Sequence, residues 1–380
     1  MYYKTVLILV SVFPIILSFF NHQPRLNINA LQNHKNNHNN NNEYPYAKEY
    51  YDFYRKYKKP NVFQLTPFIN YKEFAERRRK NYLIFADNYD LIKNTKNIMN
   101  VNNNSFSIDL NKYADVIDFN SMNQPDLNFK LTNSNNKINK FNFSPYFRAI
   151  KKPTAFFGNL FSIKKFSWND TGLLSPVKNQ GQCGSCWAFA TTNVLETFMR
   201  INNHTIDRLS EQQLVDCSEE DYGCDGGFMH TALDYIIQND GLLENKVYPY
   251  KGNTNNCSCL VNTTKNAIGS NIKDYDFTIP NSIIDMKKNV METPIAIAID
   301  ANNIYFRFYK NGIIDVPLNE SRALNHAVVL VGFDHDDDGM YWIIQNSWGS
   351  DWGDHGFCKV RVQPGDGTLM SQVYGVYPIQ

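Results

Sequence analysis

The chain has 380 residues, of which 43% are hydrophobic, 14% aromatic and 20% charged. That composition excludes a fully disordered chain, a collagen and a long coiled coil, and a single apolar run at the N-terminus excludes a multi-span membrane protein. The net charge of +1 hides a split: residues 1–161 carry 22 Lys+Arg against 11 Asp+Glu, and residues 162–380 carry 16 against 26. A basic part next to an acidic part reads as two pieces that dock on each other. A surface for nucleic acid or an anionic membrane is the competing reading.

Residues 1–20 read as a targeting segment. Lys4 supplies a short positive start, residues 6–20 are apolar, and Pro14 interrupts them. Ser18-Phe19-Phe20 is a poor cleavage site, so a signal peptide and a retained signal anchor both stay open. Either one sends the chain into the secretory pathway, where disulfides persist. Seven Asn-x-Ser/Thr sequons, among them Asn203 and Asn262, fit that route. Residues 21–64 read as an Asn-rich spacer, because the tract 33–42 has no apolar residue with which to bury a core.

Residues 66–98 predict a helix: Phe74, Leu83, Ile84, Leu91 and Ile92 recur at near-helical spacing, with Arg77–Lys80 on a charged face. Residues 106–115 alternate enough for a short strand or an extended segment, and residues 120–140 are polar and Asn-rich, as in a linker. From Trp168 onward the texture changes. Helices are predicted over 186–201 and 229–238, with a short one capped by Ser210. Strands are predicted over 295–299, 327–333, 341–345 and 357–362. Helices first and strands later imply an α+β fold of two lobes, and clefts between lobes are common sites.

All seven cysteines follow residue 180, an odd number that flags one free thiol. Cys183-x-x-Cys186 has three readings. Half a zinc site lacks a second pair at matching spacing, since Cys257-x-Cys259 is a poor one. A thioredoxin-type redox pair lacks its βαβ context. The third reading is one structural cysteine beside a nucleophile at a helix N-terminus, where free N–H groups stabilise a thiolate. A thiolate needs a base, and His326 opens the apolar run 326–332. Taken alone it is a structural histidine as readily as a base. Asn346, in Asn346-Ser347-Trp348-Gly349, is a turn former taken alone. Together, Cys186, His326 and Asn346 are the parts of an activated-nucleophile site.

Four stretches, namely 176–189 (with Gln180-Gly181-Gln182-Cys183-Gly184-Ser185-Cys186-Trp187), Gly223-Cys224-Asp225-Gly226-Gly227, 324–332 and 346–353, occur in an order and spacing that resemble the papain-like cysteine peptidases, closest to the cathepsin L-like branch. The resemblance implies a papain-like two-lobe fold, with a helical left lobe and a β-barrel-like right lobe. It implies that Cys186 is the nucleophile, His326 the base, Asn346 the residue that orients it, and Gln180 an oxyanion donor beside the Cys186 N–H. Trp348 then shields the His–Asn contact. Phe228, Met229, Ala298, Leu324, Ala327 and Tyr374 fall at the positions of the S2 pocket, so a hydrophobic P2 residue is expected. Disulfides are implied between Cys183 and Cys224 and between Cys217 and Cys257, leaving Cys259 and Cys358 unassigned. No occluding-loop insertion follows Gly227, which favours endopeptidase action.

The resemblance reaches the N-terminal part more weakly. Phe85, Asn88 and Ile92 fit a helical propeptide motif. Arg77, Asn81 and Lys96 depart from it, standing where Glu, Arg and Asn are usual. Asp109-x-Asn111-x-Tyr113-x-Asp115 follows a second motif, with Asp109 in place of Gly and Tyr113 in place of Phe. Residues 65–127 then form a helical inhibitor propeptide, 128–161 a linker through the cleft, and 162–380 the peptidase domain. No metal or cofactor is implied. The implied partners are polypeptide substrates, the chain's own propeptide and cystatin-type inhibitors, with a monomer as the assembly. The expected destination is a lysosome or acidic vacuole, or the outside of the cell. The charge split suggests release of the propeptide by acid, since carboxylates protonate near pH 4. A catalytically silent binding module on the same scaffold is the alternative, and it needs a broken triad.

Overall fold

The computed structural model describes residues 46–57, 71–101, 106–112, 114–115, 162–257, 272–316 and 323–379. The targeting segment, the 33–42 tract, the linker 128–161, Asn262 and Cys259 lie outside them, as do the side chains of residues 71–80. The chain divides into two compact units, Met1–Ala86 and Asp87–Gln380.

In the first unit, helix α1 (Ala47–Tyr57) corrects the reading of 21–64 as a spacer throughout. Phe53 is buried and packs on Phe85 at 4.9 Å between ring centroids, while Tyr50 stands edge-on to Tyr82 at 5.4 Å. Burying these aromatics stabilises a segment whose Asn-rich neighbourhood hid it. Helix α2 (Tyr71–Val101) is the predicted 66–98 helix, shifted by a few residues toward the C-terminus.

The second unit holds the two predicted lobes. Helix α3 (Cys186–Ile201) has the predicted bounds, and its N-terminal half is entirely buried. It ends where Asn203 turns left-handed (φ 64°) and the N–H groups of Asn203 and His204 close back on the carbonyls of Arg200 and Met199. Helix α4 (Glu211–Cys217) starts where the Ser210 hydroxyl accepts from the Gln213 N–H at 3.0 Å. Helix α5 (Met229–Gln238) also has the predicted bounds.

Among the described residues nine strands form one sheet. They are β1 (Phe106–Ile108), β2 (Phe166–Ser167), β3 (Asp274–Phe277), β4 (Ile295–Ile299), β5 (Tyr309–Ile314), β6 (His326–Asp336), β7 (Gly339–Gln345), β8 (Phe357–Arg361) and β9 (Gly375–Ile379). The order is β1-β5-β8-β7-β6-β4-β9-β3, with β2 also pairing β6. The path has two ends, so the β-lobe is an open sheet rather than a closed barrel. Helices α6 (Ile283–Glu292) and α7 (Ile304–Arg307) interrupt the region read as strands alone.

Strands β4 and β6 are buried along most of their length, which explains their near-continuous apolar runs. Side chains alternate across the sheet. Ala296 and Ala298 of β4 oppose Val329 and Ala327 of β6, and all four join the buried cluster that contains Cys186, Trp187 and Ala188 of α3. Small side chains on this face let the helix approach the sheet.

The short strand β1 pairs antiparallel with β5, Phe106 opposite Gly312. The Asp109 N–H donates to the Phe308 carbonyl at 2.9 Å, and Asn111 Nδ2 donates to the Arg307 carbonyl at 2.7 Å. Two ion pairs flank these bonds. Lys112–Asp351, at 2.7 Å, runs in the direction of the charge split. Asp109–Lys310, at 3.1 Å, runs against it, and Lys96 also holds Asp109, at 2.8 Å. Lys96 and Asp109, two departures from the propeptide motif, therefore bond to each other.

Candidate active site

The site is built at the first residues of α3 and β6, and in the turn after β7. Cys186 opens α3, is fully buried and lies outside both disulfides. His326 opens β6, and its Nε2 lies 2.8 Å from Asn346 Oδ1. His326 Nδ1 has no hydrogen-bond partner among the described residues. Cys186 and Ala327, the neighbour of His326, belong to one buried cluster.

His326 is 1% exposed. Burial pushes its pKa down to about 4, and the Asn346 bond offsets this only in part. The imidazole is therefore neutral here at neutral pH. Trp348, fully buried, covers it with ring centroids 4.9 Å apart, and Phe306 packs on both rings.

Gln180 is held on both of its faces. Its Nε2 donates to the Cys183 carbonyl at 2.9 Å, its Oε1 accepts from the Ser347 hydroxyl at 2.6 Å, and its N–H donates to the Ser347 carbonyl at 2.9 Å. Ser347 N–H donates to Asn346 Oδ1 at 2.8 Å. One hydrogen-bonded series thus joins His326 to Gln180 across the two lobes. Lys178, two residues upstream, is buried on Glu196 and Glu211 at 2.6 and 2.7 Å, which anchors this stretch to α3 and α4.

The predicted pocket residues divide. Met229, Ala298, Leu324 and Ala327 are buried in the cluster that includes Cys186, and Tyr374 packs against it. Phe228 is half-buried at the start of α5 and meets the His230 ring at 5.4 Å. The Tyr374 hydroxyl is 2.8 Å from His230 Nδ1, so it already has a partner. Sequence reasoning missed His230, which is 144 residues from Tyr374 and has no motif around it.

The disulfides Cys183–Cys224 and Cys217–Cys257 are present as expected. Cys358 is a buried free thiol, and burial pushes its pKa well up, which makes it inert. Among the described residues, no group of three or more His, Cys, Asp or Glu side chains could hold a metal ion.

The family model described as papain family cysteine protease matches residues 163–376. The chain belongs to the papain family. By this kinship it is a papain-like cysteine endopeptidase. It is 36% identical over 311 residues to a viral cathepsin of Adoxophyes honmai nucleopolyhedrovirus, covering 78% of this chain and 85% of the relative. Zingipain-2 of Zingiber officinale is 36% identical over 215 residues, 56% of this chain and 95% of that one. Among solved structures, the digestive procathepsin L2 proteinase from Tenebrio molitor larval midgut superimposes with a TM-score of 0.66 at 26% identity, covering 88% of this chain and 98% of that one. The papain-family likeness thus extends beyond the peptidase domain into the N-terminal part, and the chain has the make-up of a proform.

Proposed function

We propose that the protein is an acid-activated cysteine endopeptidase of the secretory pathway, with Cys186 as nucleophile and His326 as its base. The observation that carries this reading is the 2.8 Å bond from His326 to Asn346, which orients the imidazole with Nδ1 left for the thiol at the N-terminus of α3. His326 takes the Cys186 thiol proton on Nδ1 to form a thiolate–imidazolium pair, the Cys186 sulfur attacks the scissile carbonyl, and the oxyanion is received by Gln180 Nε2–H and the Cys186 N–H. His326 then protonates the leaving amine. The acyl-enzyme is hydrolysed by a water that gives its proton to His326, and the thiolate leaves. Asn346 orients the imidazole throughout, and Trp348 keeps water off that contact.

The small, apolar pair Ala298 and Ala327, with Met229 and Leu324 in the same cluster, supports an S2 pocket for a hydrophobic P2 residue. The two disulfides support an oxidising compartment.

The acid trigger rests on His326 more than on the carboxylates nearest the docking strand. Asp109 is raised by partial burial, but the bonds from Lys96 and Lys310 outweigh this and hold it below the usual carboxylate range. Its contribution is lost only as pH falls below that range, so it survives at pH 5. His326 has the opposite effect. Any form in which Trp348 and Phe306 no longer cover its imidazole gains a proton between the ordinary 6.5 and about 4, so mild acid favours loosening around the site.

The test is to shift the purified full-length chain from pH 7.5 to pH 5 with a thiol reductant, beside a Cys186→Ala control. Mass and cleavage of a Phe-Arg fluorogenic peptide are followed. Loss of about the first 160 residues, with hydrolysis absent in the control, is expected. Equal maturation rates at both pH values would reject the acid trigger. A silent wild-type chain, even after cleavage in trans, would reject the enzyme in favour of a binding module.

A further inference from the structure

Gln180 and Cys186, which carry the two groups read as oxyanion donors, are joined by a short loop that Gln180 Nε2 spans by donating to the Cys183 carbonyl at 2.9 Å. Gly181 takes a left-handed φ of 67° and Gln182 is exposed. One covalent tie reaches the loop, the Cys183–Cys224 disulfide, together with the Gly184 N–H donating to the Cys224 carbonyl at 2.9 Å. A further tie is a side chain from far along the sequence. The Tyr250 hydroxyl lies 2.8 Å from the Gln180 carbonyl and 2.7 Å from the Ser185 hydroxyl. A carbonyl only accepts, so the phenol hydrogen goes to Gln180 and the Ser185 hydroxyl donates to the phenol oxygen. Gln180 and Ser185 are both fully buried.

We propose that Tyr250 is a positioning residue, which sets the spacing between the Gln180 side-chain donor and the Cys186 backbone N–H by bridging the two ends of the loop that carries them. The inference rests on the reading of these two groups as the oxyanion donors. Tyr250 is itself fixed. Its ring stands edge-on to Phe189 of α3 at 4.8 Å and 89°, and its N–H meets Asn245 Oδ1 at 3.3 Å. Burial raises its pKa to about 12, so it keeps its donor proton at every pH at which the enzyme works. A phenylalanine keeps the ring contact and removes both hydrogen bonds. It leaves the Gln180 carbonyl and the Ser185 hydroxyl each short of a partner.

The test uses the full-length chain with and without Tyr250→Phe. Each is matured in trans by pepsin, which is then blocked with pepstatin, so that neither depends on its own activity for processing. Three readouts separate the outcomes. Peptide hydrolysis is expected to lose about tenfold in kcat with KM little changed, less than the roughly 10²–10³ seen when a donor is removed outright. The rate of Cys186 alkylation by iodoacetamide, a substitution that forms no oxyanion, is expected to stay at the wild-type value. In a Gln180→Ala background the same Tyr250→Phe change is expected to cost much less. Wild-type kcat in Tyr250→Phe would overturn the proposal, as would alkylation that falls in step with hydrolysis, or an equal loss in both backgrounds. Gln180→Ala with undiminished kcat would instead overturn the oxyanion assignment on which the proposal rests, and an inactive wild type would overturn the enzyme reading itself.

Discussion

His326 shows how much environment decides at the scale of one residue. An imidazole in water titrates near 6.5, but burial moves this one down to about 4. The folded pKa is then below the unfolded one. Stability is intact above 6.5 and is lost as pH falls toward 4, by of the order of 3 kcal/mol from this group alone. In the Cys186→Ala full-length chain, which cannot cut itself, the His326 imidazole resonances are expected to titrate near pH 4 by NMR. A midpoint at the ordinary value would show that the ring is solvated before activation. It would also remove His326 as the source of the acid response. Cys186, His326 and Asn346 were each ambiguous alone. They read as one site because a thiol at a predicted helix start, a histidine opening a strand and an asparagine in a Trp-Gly turn occur together in one order.

At the scale of elements, the strand β2 depends on a glycine in the strand beside it. Ser167 pairs with Gly332 of β6, and a Cβ built at Gly332 would meet the Phe166 carbonyl oxygen and lie 2.8 Å from Ser167 Cα. Both obstacles are backbone, so neither can swing aside. Gly332→Ala is expected to lower stability by about 1–3 kcal/mol, the range for overpacking a filled site, with β2 displaced from β6. Urea unfolding of the Cys186→Ala chain measures it, and an unchanged midpoint would mean that β2 contributes nothing to the fold. The same scale explains what sequence patterns did and did not find. The bounds of α3 and α5 were readable because their apolar spacing and end residues are local signals. Helix α1 was not, because its reason to be helical is the packing of Phe53 and Tyr50 on Tyr82 and Phe85, about thirty residues away.

For the whole molecule, the split of charge between the N-terminal and C-terminal parts is only partly a docking code. Of the two ion pairs beside the β1–β5 pairing, Lys112–Asp351 follows the split and Asp109–Lys310 reverses it. Such partly exposed pairs are worth about 0.2–1 kcal/mol each, so the backbone pairing and the bond from Asn111 to the Arg307 carbonyl hold register while the charges tune it. Asp351→Lys is expected to speed maturation at pH 5 by about two- to fivefold, and Lys112→Asp in that background to restore the wild-type rate. Faster maturation without rescue would show that Asp351 acts through something other than Lys112. Added salt should shrink the difference, because exposed charges are screened over about 8–10 Å at moderate ionic strength.

The sequence by itself determined the family and the order of the two lobes, and its likeness to that family implied both disulfide pairings and the proposed roles of Cys186, His326 and Asn346. Each of these is written as a motif or a local periodicity that survives without its surroundings. Only the tertiary structure decided that Tyr250 bridges Gln180 and Ser185, that His230 takes up the Tyr374 hydroxyl, that Lys96 and Lys310 share Asp109, and that the β-lobe is an open sheet. These partners lie 13 to 201 residues apart. A hydroxyl, an imidazole or an ammonium has the same letter in the sequence whether it meets water or a partner. Which of the two it meets is settled only when the chain closes on itself and takes the water away.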